Sequence, residues 1–191
     1  IFLEAGFPKQ ALQFIEGDEN VIGDPLVTDR RVDAVILTGS TDTARHLLKA
    51  RPGLDLYAET GGKNAIIVTE MADRDLAAKE AIHSAFGYSG QKCSAASLLI
   101  CTEEVYNDVR FMRQLKDAAE SLKVGNSWDL DTKVSPLILP PGEKLLHGFT
   151  QLEDGERWLL KPKQNPDNPH LWSPGIRTGV SLGNFCHSQE L

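Results

Sequence analysis

Cysteine, methionine and aromatic residues are scarce in this chain: three Cys, two Met and 7% aromatics among 191 residues. Cys93, Cys101 and Cys186 are odd in number and form no CxxC pair, which argues against a disulfide framework and against a structural zinc site. A reducing, cytoplasmic setting fits that usage. The five histidines (His46, His83, His147, His170, His187) show no ligand spacing, so no metal is expected. Positive charge is also short. Twenty Lys and Arg against 27 Asp and Glu give a formal charge of -7, which argues against a general nucleic-acid or anionic-membrane partner. No apolar run approaches the roughly 20 residues that span a bilayer, and no basic-then-apolar leader opens the chain. Ile1-Phe2-Leu3 and Gln189-Glu190-Leu191 both read as cuts inside a longer protein.

What is present is ordinary for a globular α/β protein of one or two domains: 41% apolar and 25% charged residues. Short apolar runs alternate with helical periods. "VDAVILTGST" (32–41) reads as a strand buried on both faces, then a tight turn into a helix over 42–50 that stops at Pro52-Gly53. "NAIIV" (64–68) reads as a second strand, preceded by Gly61-Gly62. Ala78, Ala81, Ile82, Ala85 and Phe86 mark an amphipathic helix with Asp73 or Asp75 as its cap. "AASLLIC" (95–101) reads as a strand and 103–123 as one long helix capped by Thr102. Residues 126–191 hold most of the ten prolines and all three tryptophans. They read as irregular structure with a few short strands.

Three stretches carry chemistry. In "FGYSGQKCSAAS" (86–97), Cys93 sits between a helix and a strand. A free cysteine is commonly a small buried hydrophobe, but a Gly- and Ser-rich loop offers access and backbone donors, and Lys92 adds charge that favours a thiolate. Cys101 closes an apolar strand and reads as core. Glu59 lies between Leu56-Tyr57-Ala58 and Thr60-Gly61-Gly62. It is either a solvated surface carboxylate or one partly stripped of water and able to act as a general base. "LTGSTDTAR" (37–45) runs a strand through a Gly-Ser-Thr turn into a helix, which is either an ordinary turn or an anion site at a helix N-terminus.

Together these segments resemble the aldehyde dehydrogenase superfamily. "LTGSTDTAR" is similar to its Phe-Thr-Gly-Ser-Thr-Glu turn, "AETGGKNAIIV" to its Glu-Leu-Gly-Gly-Lys motif, and "GYSGQKCSAAS" to its Gly-Gln-x-Cys motif. The order agrees, and so does the 34-residue separation of Glu59 and Cys93. "EAGFPKQALQFIEG" and "VGNSWDLDTKVSPLI" resemble further family segments, and "SLGNFCHSQEL" resembles the approach to a Glu-x-Phe-Gly-Pro-Val motif. Thr60 in place of Leu and the Trp-containing "LWSPGIRTGVSLGNF" look like the L-glutamate γ-semialdehyde dehydrogenases, the dehydrogenase half of bifunctional proline-utilisation proteins included. Ala44 and Ser135 stand where the family usually has glycine.

The resemblance implies an α/β, aldehyde dehydrogenase-like fold: the end of a Rossmann-like NAD-binding domain (1–60) and most of a catalytic thiol domain (61–191). It implies Cys93 as nucleophile and Glu59 as general base. It also implies Gly39, Ser40, Thr41, Thr60 and Glu190 as cofactor-binding residues. The cofactor is NAD or NADP, with FAD only if a proline dehydrogenase domain lies upstream. The partner is a small-molecule aldehyde, and the intact enzyme is expected to be a homo-oligomer. Two other readings stand beside this one: a non-catalytic folding or oligomerisation module, and a cysteine-dependent acyl transferase or hydrolase without NAD.

Overall fold

The structure, a computed structural model, describes residues 1–17 and 22–191. They form two compact units, Ile1–Gly61 and Gly62–Leu191. Among the described residues no helix is long and apolar enough to cross a membrane.

The first unit contains a short helix α1 (Asp24–Thr28), strand β1 (Ala34–Gly39), helix α2 (Thr41–Ala50) and strand β2 (Asp55–Thr60). β1 and β2 pair in parallel, from Ala34 opposite Asp55 to Gly39 opposite Thr60. Parallel neighbours require a crossover, and α2 supplies it. Its start is fixed by Ser40, whose hydroxyl accepts the Thr43 amide at 3.0 Å, and its inner face buries Ala44 and Leu47. His46 Nε2 lies 2.9 Å from the Asp24 carboxylate. The Arg51 guanidinium donates to the carbonyls of Val27, Asp29 and Val32, tying the loop after α1 to the end of α2.

Two sequence expectations change here. β1 is not buried on both faces: Val35 and Leu37 are half-buried, but Ile36 is 83% exposed. Its sheet has two strands, so the opposite face is uncovered in this unit. β2 was not anticipated at all. Among its residues Leu56 and Tyr57 are adjacent rather than alternating, which leaves little period-two signal to read.

The second unit repeats the pattern with β3 (Asn64–Val68), α3 (Arg74–Phe86) and β4 (Ala96–Cys101), β3 and β4 again parallel. Asp73 caps α3 by accepting the Leu76 amide at 3.0 Å. The expected long helix is two, α4 (Glu103–Tyr106) and α5 (Val109–Glu120). The Asp108 carboxylate accepts the amides of Arg110 and Phe111 at 2.9 and 3.3 Å. An Asp side chain offering this alternative to the backbone starts a new helix rather than continuing one. Thr102 makes no capping bond, and its hydroxyl is buried without a partner.

The core of this unit joins Val68 with Ala78, Ala81 and Ile82 of α3, Val105 of α4, and Phe111, Leu115 and Ala119 of α5. The remainder is more regular than its prolines suggest: α6 (Glu143–Thr150), β5 (Arg157–Leu160), β6 (Gln164–Asn165), β7 (Asn168–Trp172), β8 (Ile176–Thr178) and α7 (Phe185–Ser188). β5 pairs with β8 and β6 with β7, both antiparallel. Arg177 on β8 meets Glu156 at 2.7 Å, with the Glu156 side chain fully buried. The same guanidinium donates to the Gly148 carbonyl of α6 and lies 4.7 Å from the Trp158 ring centroid.

Phe111 is fully buried between these helices. Phe111→Ala should lower the unfolding free energy of the second unit by about 3–5 kcal/mol, through lost transfer energy and the cavity left behind. Asp108→Ala, which removes only the cap, should cost about 1 kcal/mol. Urea unfolding followed by circular dichroism measures both.

Candidate active site

In the first unit, the residues singled out for cofactor binding lie together. The parallel register sets Thr38 opposite Glu59 and Gly39 opposite Thr60, and the chain turns from Gly39 through Ser40 into α2. The Thr41 hydroxyl donates to the Thr60 hydroxyl at 3.1 Å. Gly39, Ser40, Thr41, Glu59 and Thr60 therefore share the carboxyl edge of the β1–β2 pair, where α/β sheets take their ligands. Ser40 occupies the Thr43 amide with its side chain and the Ala44 amide with its carbonyl. That leaves the first two helical amides, of Thr41 and Asp42, without an intrahelical acceptor. They point the way an anionic group such as a dinucleotide phosphate requires, so the residues present fit NAD or NADP.

Of the two readings of Glu59, the solvated one matches its own unit: the side chain is exposed, because nothing in this unit covers that part of β2.

In the second unit, Cys93 is exposed on the connection between α3 and β4. The preceding turn, Gly87–Gly90, is left-handed: Tyr88, Ser89 and Gly90 have φ of 53°, 59° and 70°. Two successive non-glycine residues in that region are strained and need outside support. Ser89 has it. Its hydroxyl accepts the Ser135 amide at 2.8 Å and lies 2.8 Å from the Ser135 carbonyl, to which it donates. Gln91 accepts the Ile138 amide at 2.9 Å. On the other side, the Asn64 side-chain amide donates to the carbonyls of Cys93 and Ala95 at 2.6 and 3.1 Å.

None of Asn64, Ser89 and Gln91 was singled out from sequence as a site residue. The available signal was position, since all three lie inside the Gly-Gly-Lys and Gly-Gln-x-Cys stretches. The Lys92 ammonium lies 3.7 Å from the Tyr88 ring centroid, in a cation–π contact.

Burial pushes the Cys101 and Cys186 thiols up from their ordinary value. Burial also pushes Lys63 down, and its Nζ donates to the Gln189 carbonyl at 3.0 Å. Glu190 beside it is exposed. A cavity of about 450 Å³ in this unit is walled by Ile66, Phe86, Leu99, Met112 and Trp172, with Glu190 also on its wall. Gln91, Lys92 and Ala95, on either side of Cys93, also line it. Among the described residues no cluster of three or more His, Cys, Asp or Glu could hold a metal ion.

The model of the "Aldehyde dehydrogenase family" matches residues 1–191. The 1-pyrroline-5-carboxylate dehydrogenase of Oceanobacillus iheyensis is 42% identical over 173 residues, covering 86% of this chain and 33% of that protein. The chain thus spans about a third of the length of such relatives. Among solved structures, Proline Utilization A (PutA) from Corynebacterium freiburgense is 50% identical with a TM-score of 0.85, over 91% of this chain and 18% of that one. A 1-pyrroline-5-carboxylate dehydrogenase from Thermus with bound NAD is 32% identical with a TM-score of 0.88, over 99% of this chain and 38% of that one.

Two measurements follow from the burial differences. Iodoacetamide at pH 8 should label Cys93 ahead of Cys101 and Cys186 by about tenfold or more, since exposure and thiolate fraction govern the rate. Peptide mass spectrometry reads this directly, and equal rates would contradict the assigned exposures. Lys63, whose folded pKa lies below its unfolded one, holds its proton more tightly in the unfolded chain, so its contribution to stability rises with pH on the alkaline side. Lys63→Met should therefore make stability fall more steeply than in the parent chain as pH climbs from 8 toward 10.

Proposed function

The chain belongs to the aldehyde dehydrogenase family, and on that premise we propose that its residues take part in the nicotinamide-dependent oxidation of an aldehyde to a carboxylic acid. The observation that carries the reading is Cys93, an exposed thiol at the corner of a turn whose backbone is held by side chains from elsewhere in the unit. The first unit is assigned to the cofactor domain and the second to the thiol domain. L-glutamate γ-semialdehyde is the substrate we favour, since relatives that share 42% and 35% of aligned residues are named 1-pyrroline-5-carboxylate dehydrogenase.

In this reading the Cys93 thiolate attacks the aldehyde carbon, forming a C–S bond while the carbonyl electron pair moves onto oxygen. The Cys93 backbone N–H donates to that oxyanion. NAD, when bound, supplies the hydride acceptor that turns the adduct into a thioester. Gly39, Ser40 and Thr41 would hold it at the turn into α2, where the free amides of Thr41 and Asp42 would face a phosphate, and Thr60 and Glu190 would add polar contacts. Glu59 then takes a proton from water, whose oxygen bonds to the acyl carbon. The C–S bond breaks, the thiolate returns to Cys93 and the carboxylic acid leaves.

The roles separate experimentally in the full reading frame that contains these residues. With L-glutamate γ-semialdehyde and NAD, Cys93→Ser should lower turnover by about 10³-fold or more, read as absorbance of the reduced cofactor. Glu59→Gln should keep a first burst of about one equivalent and lose steady turnover, because acylation proceeds and hydrolysis stalls. Turnover surviving in Cys93→Ser would sink the reading.

A further inference from the structure

We propose that Asn64 is a positioning residue for Cys93: its two amide protons fix the peptide geometry on the carboxyl side of the nucleophile. The proposal rests on the reading of Cys93 as nucleophile and deepens it.

The strand ladder stops short of Cys93. β3 and β4 pair from Asn64 opposite Ala96, and the register shifts between Asn64 and Ala65. Backbone pairing therefore reaches no further toward Cys93 than Ala96. The turn ahead of it is closed by the Ala95 amide, which donates to the Lys92 carbonyl at 3.0 Å, with Cys93 and Ser94 at its two corners. One such bond in an exposed loop leaves the second corner free to rotate.

Asn64 supplies what the ladder lacks. Its Nδ2 lies 2.6 Å from the Cys93 carbonyl oxygen and 3.1 Å from that of Ala95. Both neighbours are acceptors only, so the NH₂ end of the amide must face them, and each proton has one partner. Asp has no proton to give at neutral pH, and Ser has one.

The consequence falls on Cys93. Two peptide planes flank its α-carbon, and their orientations are its φ and ψ. The Lys92–Cys93 plane is held through the Lys92 carbonyl by Ala95, and the Cys93–Ser94 plane through the Cys93 carbonyl by Asn64. In a trans peptide the N–H points opposite the C=O. With the Lys92 carbonyl turned into the turn, the Cys93 N–H is turned out of it, where no acceptor among the described residues takes it. The Cα–Cβ bond that carries Sγ is set relative to the N–H by φ, and fixing ψ as well ties both to β3, because the Cys93–Ser94 plane is bonded to Asn64. Asn64 thus holds the Cys93 α-carbon, with the N–H that receives the oxyanion and the bond that carries the sulfur, in one place against β3, which is what orientation in a near-attack geometry demands.

The test uses Asn64→Ala, the isosteric Asn64→Asp, and Asn64→Ser, which retains one donor. In the 191-residue chain, amide exchange of Ala95 should accelerate roughly ten- to thirtyfold in the Ala and Asp variants, with less change in Ser, while amides of the Phe111 core stay as protected as before. In the full reading frame, the burst rate of acylation should fall by about ten- to a hundredfold with KM for NAD and aldehyde within about twofold. A merely structural role would shrink the burst amplitude with the folded fraction and leave its rate alone. An unchanged burst rate, or Ala95 exchange unchanged in Asn64→Asp, overturns the proposal. Turnover surviving in Cys93→Ser instead overturns the reading beneath it, so the two failures are distinguishable.

Discussion

Parallel strand pairing is the constraint on which the rest of the molecule depends. Two parallel neighbours cannot be joined by a hairpin, so each pair needs a helix between its strands, and the carboxyl ends of both strands then face the same way. In the first unit this brings residues 21 apart, Gly39 and Thr60, to one edge and lets the hydroxyls of Thr41 and Thr60 touch. In the second, the same geometry starts the β3–β4 ladder at Asn64 and Ala96 and leaves the Cys93 turn just beyond its end. The chemistry-bearing residues sit where pairing stops and backbone groups are free.

Freedom at that point has to be restrained by other means, and in the second unit side chains do it. The left-handed run at Tyr88, Ser89 and Gly90 is unfavourable for two of its three residues. The Ser89 hydroxyl meets both backbone groups of Ser135, and Gln91 holds Ile138. Asn64 closes the other side. The loop is thus exposed to reagents and yet anchored through five separate backbone groups, a combination that a nucleophile needs and a packed thiol such as Cys186 does not.

Much of this was legible in the sequence where a local rule sufficed. Asp73, one of the two expected caps, starts its helix, and the apolar runs 64–68 and 95–101 hold strands β3 and β4. The failures have a common cause in long-range or competing interactions. Residues 103–123 read as one helix, but the Asp108 carboxylate competes for backbone amides and splits it. The exposure of Ile36 depends on what packs over a strand, which no period in the strand itself reveals. Among the candidate site residues, Cys93 and the Gly39-Ser40-Thr41 turn were legible as motifs. Asn64 was not, because its partners are two carbonyls 29 and 31 residues away, and nothing in "GGKN" announces them.

The pairing of Arg177 with the fully buried Glu156 bears on how this sequence can drift. Either charge left alone would sit in a dry interior at a cost of several kcal/mol, whereas a matched pair of apolar residues would be tolerated. The route from one acceptable state to the other passes through an intermediate genotype that folds poorly. Random single substitutions are therefore trapped at these two sites. Descendants of this sequence should keep both residues or lose both together, and the Gly148 carbonyl that shares the guanidinium ties the course of α6 to the same paired choice.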